Sequence, residues 1–315
     1  MKAILSIDGG GIRGLIPGLV LAELERHTGK PICDCFDLIA GTSTGGILAI
    51  GLTKPGADGT PRYSAEDLCK IYAERGDEIF SRSFWDGVTS LGGMTDEKYS
   101  EKGLERLLDE YFGDAQLHEC LTNILISSYD IHERRPLFLK SWRAEHREVL
   151  MRHAARATSA APTYFEPARI PVNGEKRALV DGGVFINSPS VSAYAEAKRI
   201  FPDETEFLLL SLGTGELTKR IDYHEAKDWG KAGWLVPLLG CVFDGVADAA
   251  DYQMKLLLGD QYVRMQVSLT RASDVMDDAS DKNIKDLQKE AAGLIERHED
   301  TLKTLSSALR ATPCA

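Results

Sequence analysis

Between residues 36 and 50 an apolar run, Phe36-Asp37-Leu38-Ile39-Ala40, passes through Gly41-Thr42-Ser43-Thr44-Gly45-Gly46 straight into another, Ile47-Leu48-Ala49-Ile50. A strand that becomes a helix across so few residues needs a turn whose flanking positions carry no side chains. The same grammar opens the chain. Ala3-Ile4-Leu5-Ser6-Ile7 reads as a buried strand, Asp8-Gly9-Gly10-Gly11-Ile12-Arg13-Gly14 as a turn, and Ile16, Leu19, Val20 and Leu24 as one face of a helix.

Strand and helix signals keep alternating. Strands are expected at Leu121–Tyr129, Pro136–Trp142, Arg177–Val180, Phe207–Leu212 and Tyr262–Val267, with a helix over 146–158. The alternation predicts an α/β fold whose mainly parallel sheet is covered on both faces. Residues 54–62 form a Gly/Pro loop, and a helical insertion follows over about 63–115, with Leu104, Leu107, Leu108 and Tyr111 at helical spacing. Ile284, Leu287, Ala291, Leu294, Ile295, Leu302, Leu305 and Leu309 share one face of a C-terminal helix, 276–315, expected to dock on a body spanning 1–275. With 315 residues, 43% of them hydrophobic, and no Pro/Gly/Ser-rich linker, a single domain is preferred to two.

The net charge of −11 argues against a nucleic-acid polymer as partner and against electrostatic adsorption to an anionic bilayer. No run approaches the roughly 18–20 apolar residues needed to span a membrane, the mean hydropathy is −0.20, and the apolar stretch after Lys2 is too short for a signal-peptide core. Six scattered cysteines, including Cys33-x-Cys35, fit reduced thiols and a cytoplasmic setting.

Three motifs carry chemistry. Gly41-Thr42-Ser43-Thr44-Gly45 is a G-x-S-x-G on a strand-to-helix junction, the spacing of a nucleophile elbow, with an ordinary Ser/Thr helix cap as the alternative. Gly46 is followed by Ile47 and not by Lys, so this is no Walker loop. The loop Gly9, Gly10, Gly11, Arg13, Gly14 offers backbone amides for an anion or oxyanion. It also satisfies G-x-G-x-x-G, yet the second strand ends Ala40-Gly41 without the acidic residue a dinucleotide ribose wants. The third is Asp181-Gly182-Gly183 after a short apolar strand, either an aimed carboxylate or a plain Asp-Gly turn. Downstream histidines (His118, His132, His146, His153, His224, His298) sit outside Gly-rich or strand-end contexts.

Together these motifs resemble the patatin-like phospholipase family, whose pattern is G-G-G-x-[RK]-G, G-x-S-x-G and D-G-[GA] in that order. Ala157-Thr158-Ser159-Ala160-Ala161-Pro162-Thr163-Tyr164-Phe165 and Phe185-Ile186-Asn187-Ser188-Pro189 extend the likeness over about residues 3–215, and the remainder is more loosely similar to bacterial members. The resemblance implies a three-layer α/β/α fold and a calcium-independent phospholipase A or lysophospholipase with neither metal nor cofactor. Ser43 would be the nucleophile and Asp181 its base, with an oxyanion held by Gly10 and Gly11 and assisted by Arg13. It further implies phospholipid or another acyl-ester lipid as substrate, transient contact with a membrane surface, and, for some bacterial members, cyclic-nucleotide activation as antiphage effectors. An acyltransferase or thioesterase could use the same pair, and a non-enzymatic binding module stays open. Acyl chains would need an apolar slot, for which Phe84-Trp85 with Leu91 and Met94, and Trp234–Phe243, are the two candidates.

Overall fold

The computed structural model describes residues 1–79, 101–218 and 220–311. Its sheet holds eight strands: β1 (Lys2–Ile7), β2 (Leu38–Gly41), β3 (Asn123–Asp130), β4 (Arg135–Lys140), β5 (Ala168–Val172), β6 (Glu175–Asp181), β7 (Phe207–Leu212) and β8 (Tyr262–Met265). The order is β5-β6-β3-β2-β1-β7-β8, with β4 also on β3. From β3 to β8 neighbouring strands are parallel, whereas β4, β6 and β5 are added antiparallel.

Period-two alternation sorts the side chains onto two faces. Ala3, Leu5 and Ile7 of β1 join a large core with α1 (Leu15–Thr28), α2 (Ile32–Cys35), α3 (Thr44–Thr53), α4 (Ala65–Ile79), α5 (Glu101–Phe112) and α6 (Met151–Thr158). Ile4 points the other way, with Leu38, Leu125 and Leu209, onto α7 (Ser190–Ile200) and α9 (Lys231–Leu258). The short α8 (Tyr223–Ala226) buries nothing. The three-layer α/β/α arrangement expected from the alternation is thus present.

Local differences have physical causes. β5, absent from the sequence reading, pairs with β6 through Asn173-Gly174, both at positive φ (51° and 77°), which is Asn-Gly hairpin chemistry. The expected helix 146–158 begins only at Met151, because Leu150 is extended. The expected single C-terminal helix is two, α10 (Asp281–Arg297) and α11 (Glu299–Ala311), divided at His298 (φ −111°, ψ 18°). Both still bury the expected leucines against the body. Of the insertion, α4 and α5 contribute Leu68, Ile71, Leu104 and Leu107 to the main core. Phe84, Trp85, Leu91 and Met94 lie outside the described residues.

β4 lines one edge of β3 throughout, from Leu125↔Lys140 to Asp130↔Arg135. The other edge is therefore shared: β2 takes Asn123–Ile126 and β6, running oppositely, takes Ser128–Asp130. The two strands meet end to end, at Gly41 and Asp181.

At the end of β1, the buried Asp8 carboxylate is paired to Arg264 of β8 at 2.6 Å, and Arg264 also donates to Ser211 Oγ at 2.9 Å. Removing one partner leaves a buried charge uncompensated. Arg264→Met is expected to lose about 3–5 kcal/mol of unfolding free energy in urea at pH 8, whereas adding Asp8→Asn to it should recover part of that loss.

Candidate functional site

Three strand ends converge. β1 and β2 are in register at Ile7↔Gly41, and β6 ends beside them on β3, so the glycine loop, the Ser43 turn and the Asp181 turn open onto one cavity of about 60 Å³. Gly10, Gly11, Ser43 and Asp181 all line it.

Ser43 sits at φ 55°, ψ −124°, a conformation that non-glycine residues rarely adopt and that marks a stored strain. The bend leaves no space beside it: a Cβ on Gly41 would collide with the carbonyl of Gly45. Ser43 N–H donates to Thr158 Oγ1 at 2.8 Å, and Gly46 and Ile47 N–H close the first helical turn onto Ser43 O. Although Ser43 occupies the N-cap position of α3, its side chain makes no capping bond. Its side chain and Asp181 line the same cavity, and Ser43 lies near enough to the carboxylate to draw its pKa down. The missing capping bond counts against the helix-cap reading, because a cap would point its hydroxyl at its own helix.

Asp181 is 1% exposed, and its Oδ1 accepts from Gly183 N–H at 2.8 Å. The Asp-Gly turn is therefore real as well, and it fixes the carboxylate. Burial pushes the acid up to about 7, against the opposing pull of nearby Ser43 and of the Gly183 hydrogen bond. Gly182 is pressed on Ser127, whose hydroxyl is 2.7 Å from Thr42 Oγ1, and Thr42 Oγ1 donates to Ile186 O at 3.0 Å. These contacts tie the two turns together.

In the glycine loop, Gly9 N–H donates to Asn187 O, Ile12 N–H to Met276 O and Arg13 N–H to Gly10 O. The Gly10 and Gly11 amides are left without an acceptor among the described residues, and both residues line the cavity. Gly11 has φ +59°, and a Cβ there would strike the Met276 carbonyl. Gly14 packs on Thr44, whose hydroxyl meets Tyr72 OH at 2.6 Å. Arg13, expected to assist by position or charge, stands behind the loop. Its guanidinium donates through Nε to Gly10 O (3.2 Å) and through Nη1 to Gly215 O (3.5 Å), and it does not line the Ser43 cavity. Its contribution is to hold the loop from behind.

Other walls were not legible as site residues. Ser159 and Asn187 lie in segments that carried the family likeness, and Phe243 ends the Trp234–Phe243 run expected as an acyl slot, but Met276 had no motif to announce it. Tyr72, Ile79 and Leu104, from the expected insertion, also line the cavity. No histidine does, and among the described residues no cluster of three or more His, Cys, Asp or Glu is set to hold a metal ion. Cys33 and Cys35 lie apart from it, with thiols pushed up by burial to about 12 and about 11, which makes both poor nucleophiles.

Fold and site together define an α/β/α protein built around a strained strand-to-helix serine. The sequence model of the patatin-like phospholipases matches residues 5–194. Patatin-like protein 4 of Arabidopsis thaliana is 33% identical over 91% of this chain and 82% of its own length. Patatin-08 of Solanum tuberosum is 33% identical over 98% and 88%, and patatin-like protein 2 of Oryza sativa subsp. indica 32% identical over 95% and 84%. The solved structure of VipD from Legionella pneumophila aligns with a TM-score of 0.42 at 12% identity, over 94% of this chain and 67% of that one, too distant a likeness to carry an argument. The chain belongs to the patatin-like phospholipase family, and membership implies lipid acyl hydrolase activity. These named relatives are plant proteins, so the bacterial affinity remains an expectation of the sequence alone.

A carboxyl held near 7 when folded and near 3.8 when unfolded binds its proton preferentially in the folded state, so it lowers stability as pH rises from about 4 to about 7. Asp181→Asn removes that penalty. The variant should be more stable than wild type by about 4 kcal/mol at pH 8, with the gain shrinking steadily in denaturation curves taken down to pH 4.

Proposed function

We propose that the chain hydrolyses fatty acyl esters of phospholipids through a Ser43–Asp181 dyad. The observation that carries this reading is the strained Ser43 turn sharing one apolar-walled cavity with the buried Asp181 carboxylate and with Gly10 and Gly11, whose amides have no acceptor among the described residues. Asp181 takes the hydroxyl proton as Ser43 Oγ attacks the ester carbonyl carbon. The tetrahedral oxyanion is received by Gly10 and Gly11 N–H, donors of a kind whose individual loss costs roughly 3–4 kcal/mol of barrier. Collapse breaks the ester bond, with the proton passing from Asp181 to the leaving alcohol and the acyl group left on Ser43. Asp181 then deprotonates a water that releases the fatty acid, and the proton returns to Ser43. No step calls on a metal, which is the basis for expecting calcium independence.

A base that must be ionised, and that titrates near 7, gives kcat/KM a rise through about pH 7. Fatty acid released from phosphatidylcholine in EDTA should follow that rise, and Ser43→Ala and Asp181→Asn should each reduce it by about 10³-fold or more. A fluorophosphonate probe should label wild type and not Ser43→Ala. Equal labelling of the two would remove Ser43 as nucleophile, and an active Asp181→Asn variant would remove the dyad. The same assay with an added alcohol or thiol acceptor separates hydrolase from transferase.

The approach to lipid is proposed to be apolar. Ile221, Trp234, Leu238 and Val275 are 46%, 38%, 51% and 45% exposed, and Ile221 and Val275 border a groove next to the site. On a chain of charge −11 such side chains favour insertion over adsorption. Leu238→Glu should weaken flotation with neutral phosphatidylcholine vesicles, while 0.5 M NaCl leaves wild-type flotation in place, the roughly 0.5 M salt shrinking the Debye length to a few Å. Cyclic-nucleotide activation rests on the family resemblance alone, and a panel of cyclic dinucleotides in the fatty-acid assay tests it.

A further inference from the structure

The Ser43 cavity, at about 60 Å³, has room for roughly four to six waters, enough for a reacting carbonyl and not for a fatty chain. Beside it a groove of about 590 Å³ runs along the first half of α9, with Leu217, Pro237 and Leu239 among its walls. Tyr164, Phe243 and Met276 line both spaces, and no other described residue does. We propose that the acyl chain leaves the reaction centre through these three side chains into the α9 groove, and that they select its length. The inference rests on the hydrolase reading above.

Several observations converge on the gate. Thr163, directly before Tyr164 and itself on the groove, has φ 75°, a genuine outlier for a β-branched residue and the kind of strain that clusters where a side chain must be aimed. Phe243 packs on the Asp181 turn, since a Cβ on Gly183 would lie 3.0 Å from its ring. Met276 holds the glycine loop by its carbonyl while its unbranched, adaptable side chain faces both spaces. The charged side chains on the groove (Arg13, Arg220, Glu225, Asp244, Asp274) sum to one negative charge, which disfavours an anionic headgroup there and leaves the chain as occupant. Phe243 and Met276 lie beyond residue 194, so chain-length selection would belong to the part of the molecule outside the match to the family model.

The test measures kcat/KM of the full chain on p-nitrophenyl esters from butyrate to palmitate. Met276→Trp should lower the palmitate-to-butyrate ratio by about tenfold or more, the discrimination a closed apolar slot commonly gives, and Met276→Ala should raise it. Cys241, an exposed free thiol on the groove, permits a second route should Met276→Trp fail to fold. A bulky maleimide should lower the ratio in wild type, and the ratio in Cys241→Ser should not respond to the reagent. A ratio unmoved by both the Met276 variants and the maleimide, or an equal loss on all esters, overturns the gate. Absence of any ester hydrolysis and of fluorophosphonate labelling in the unmodified protein would instead overturn the hydrolase reading.

Discussion

The shared edge of β3 is the constraint from which the site follows. Two strands that run in opposite directions along one neighbour must stop where they meet, and here they stop at Gly41 and Asp181. The serine turn and the aspartate turn are thus brought together by main-chain hydrogen bonding and not by long loops, which would have to be ordered at an entropic cost. Thr42, Ser127 and Gly182 fill the junction with a hydroxyl pair and a position too tight for a side chain. The antiparallel additions β4, β6 and β5 are therefore no decoration on a parallel sheet. Were β6 parallel to β3 over the same stretch, its last residue would lie beside Asp130 instead of Ser128, farther from Gly41.

That arrangement has an energetic consequence. Burying a carboxylate to 1% exposure raises its pKa to about 7, against the downward pull of Ser43 and Gly183, and disfavours the charged form that a general base must use. At pH 8 the penalty is about 4 kcal/mol, a large fraction of the 5–15 kcal/mol by which domains are usually stable. The cores on both faces of the sheet have to offset it. The same burial makes the base effective near neutrality, since a carboxylate titrating at its ordinary value would be a much weaker acceptor for a serine proton.

Much of this was legible in the sequence, for identifiable reasons. Gly41-Thr42-Ser43-Thr44-Gly45, the Gly9–Gly14 loop and Asp181-Gly182-Gly183 each sit where a buried strand ends, so a periodicity change and a glycine cluster coincide in the text. β5 was missed although Asn173-Gly174 is a strong hairpin signal, because Ala168–Val172 holds a proline and two exposed residues and does not read as an apolar run. The break at His298 left no proline or glycine to mark it. Arg13 was placed by its neighbours in the motif, yet a long side chain two residues beyond an amide can point away from it, and this one does.

Met276 shows why the remainder could not be read. It lies in the polar stretch Arg271–Ser280, with no periodicity and no motif, but its carbonyl takes the Ile12 amide. That bond bears on the chemistry through what it leaves over. The loop presents successive amides from Gly9 to Arg13; Asn187 takes the first, Met276 the fourth and Gly10 the fifth, so only the two in between, on residues that line the Ser43 cavity, are left without an acceptor among the described residues. An anion site made of backbone groups is thus specified by which amides are satisfied elsewhere, and those acceptors come from residues far apart in the chain. Glycines in a sequence mark where such a site can form; the acceptors that decide which amides stay open become visible only once the chain has folded around them.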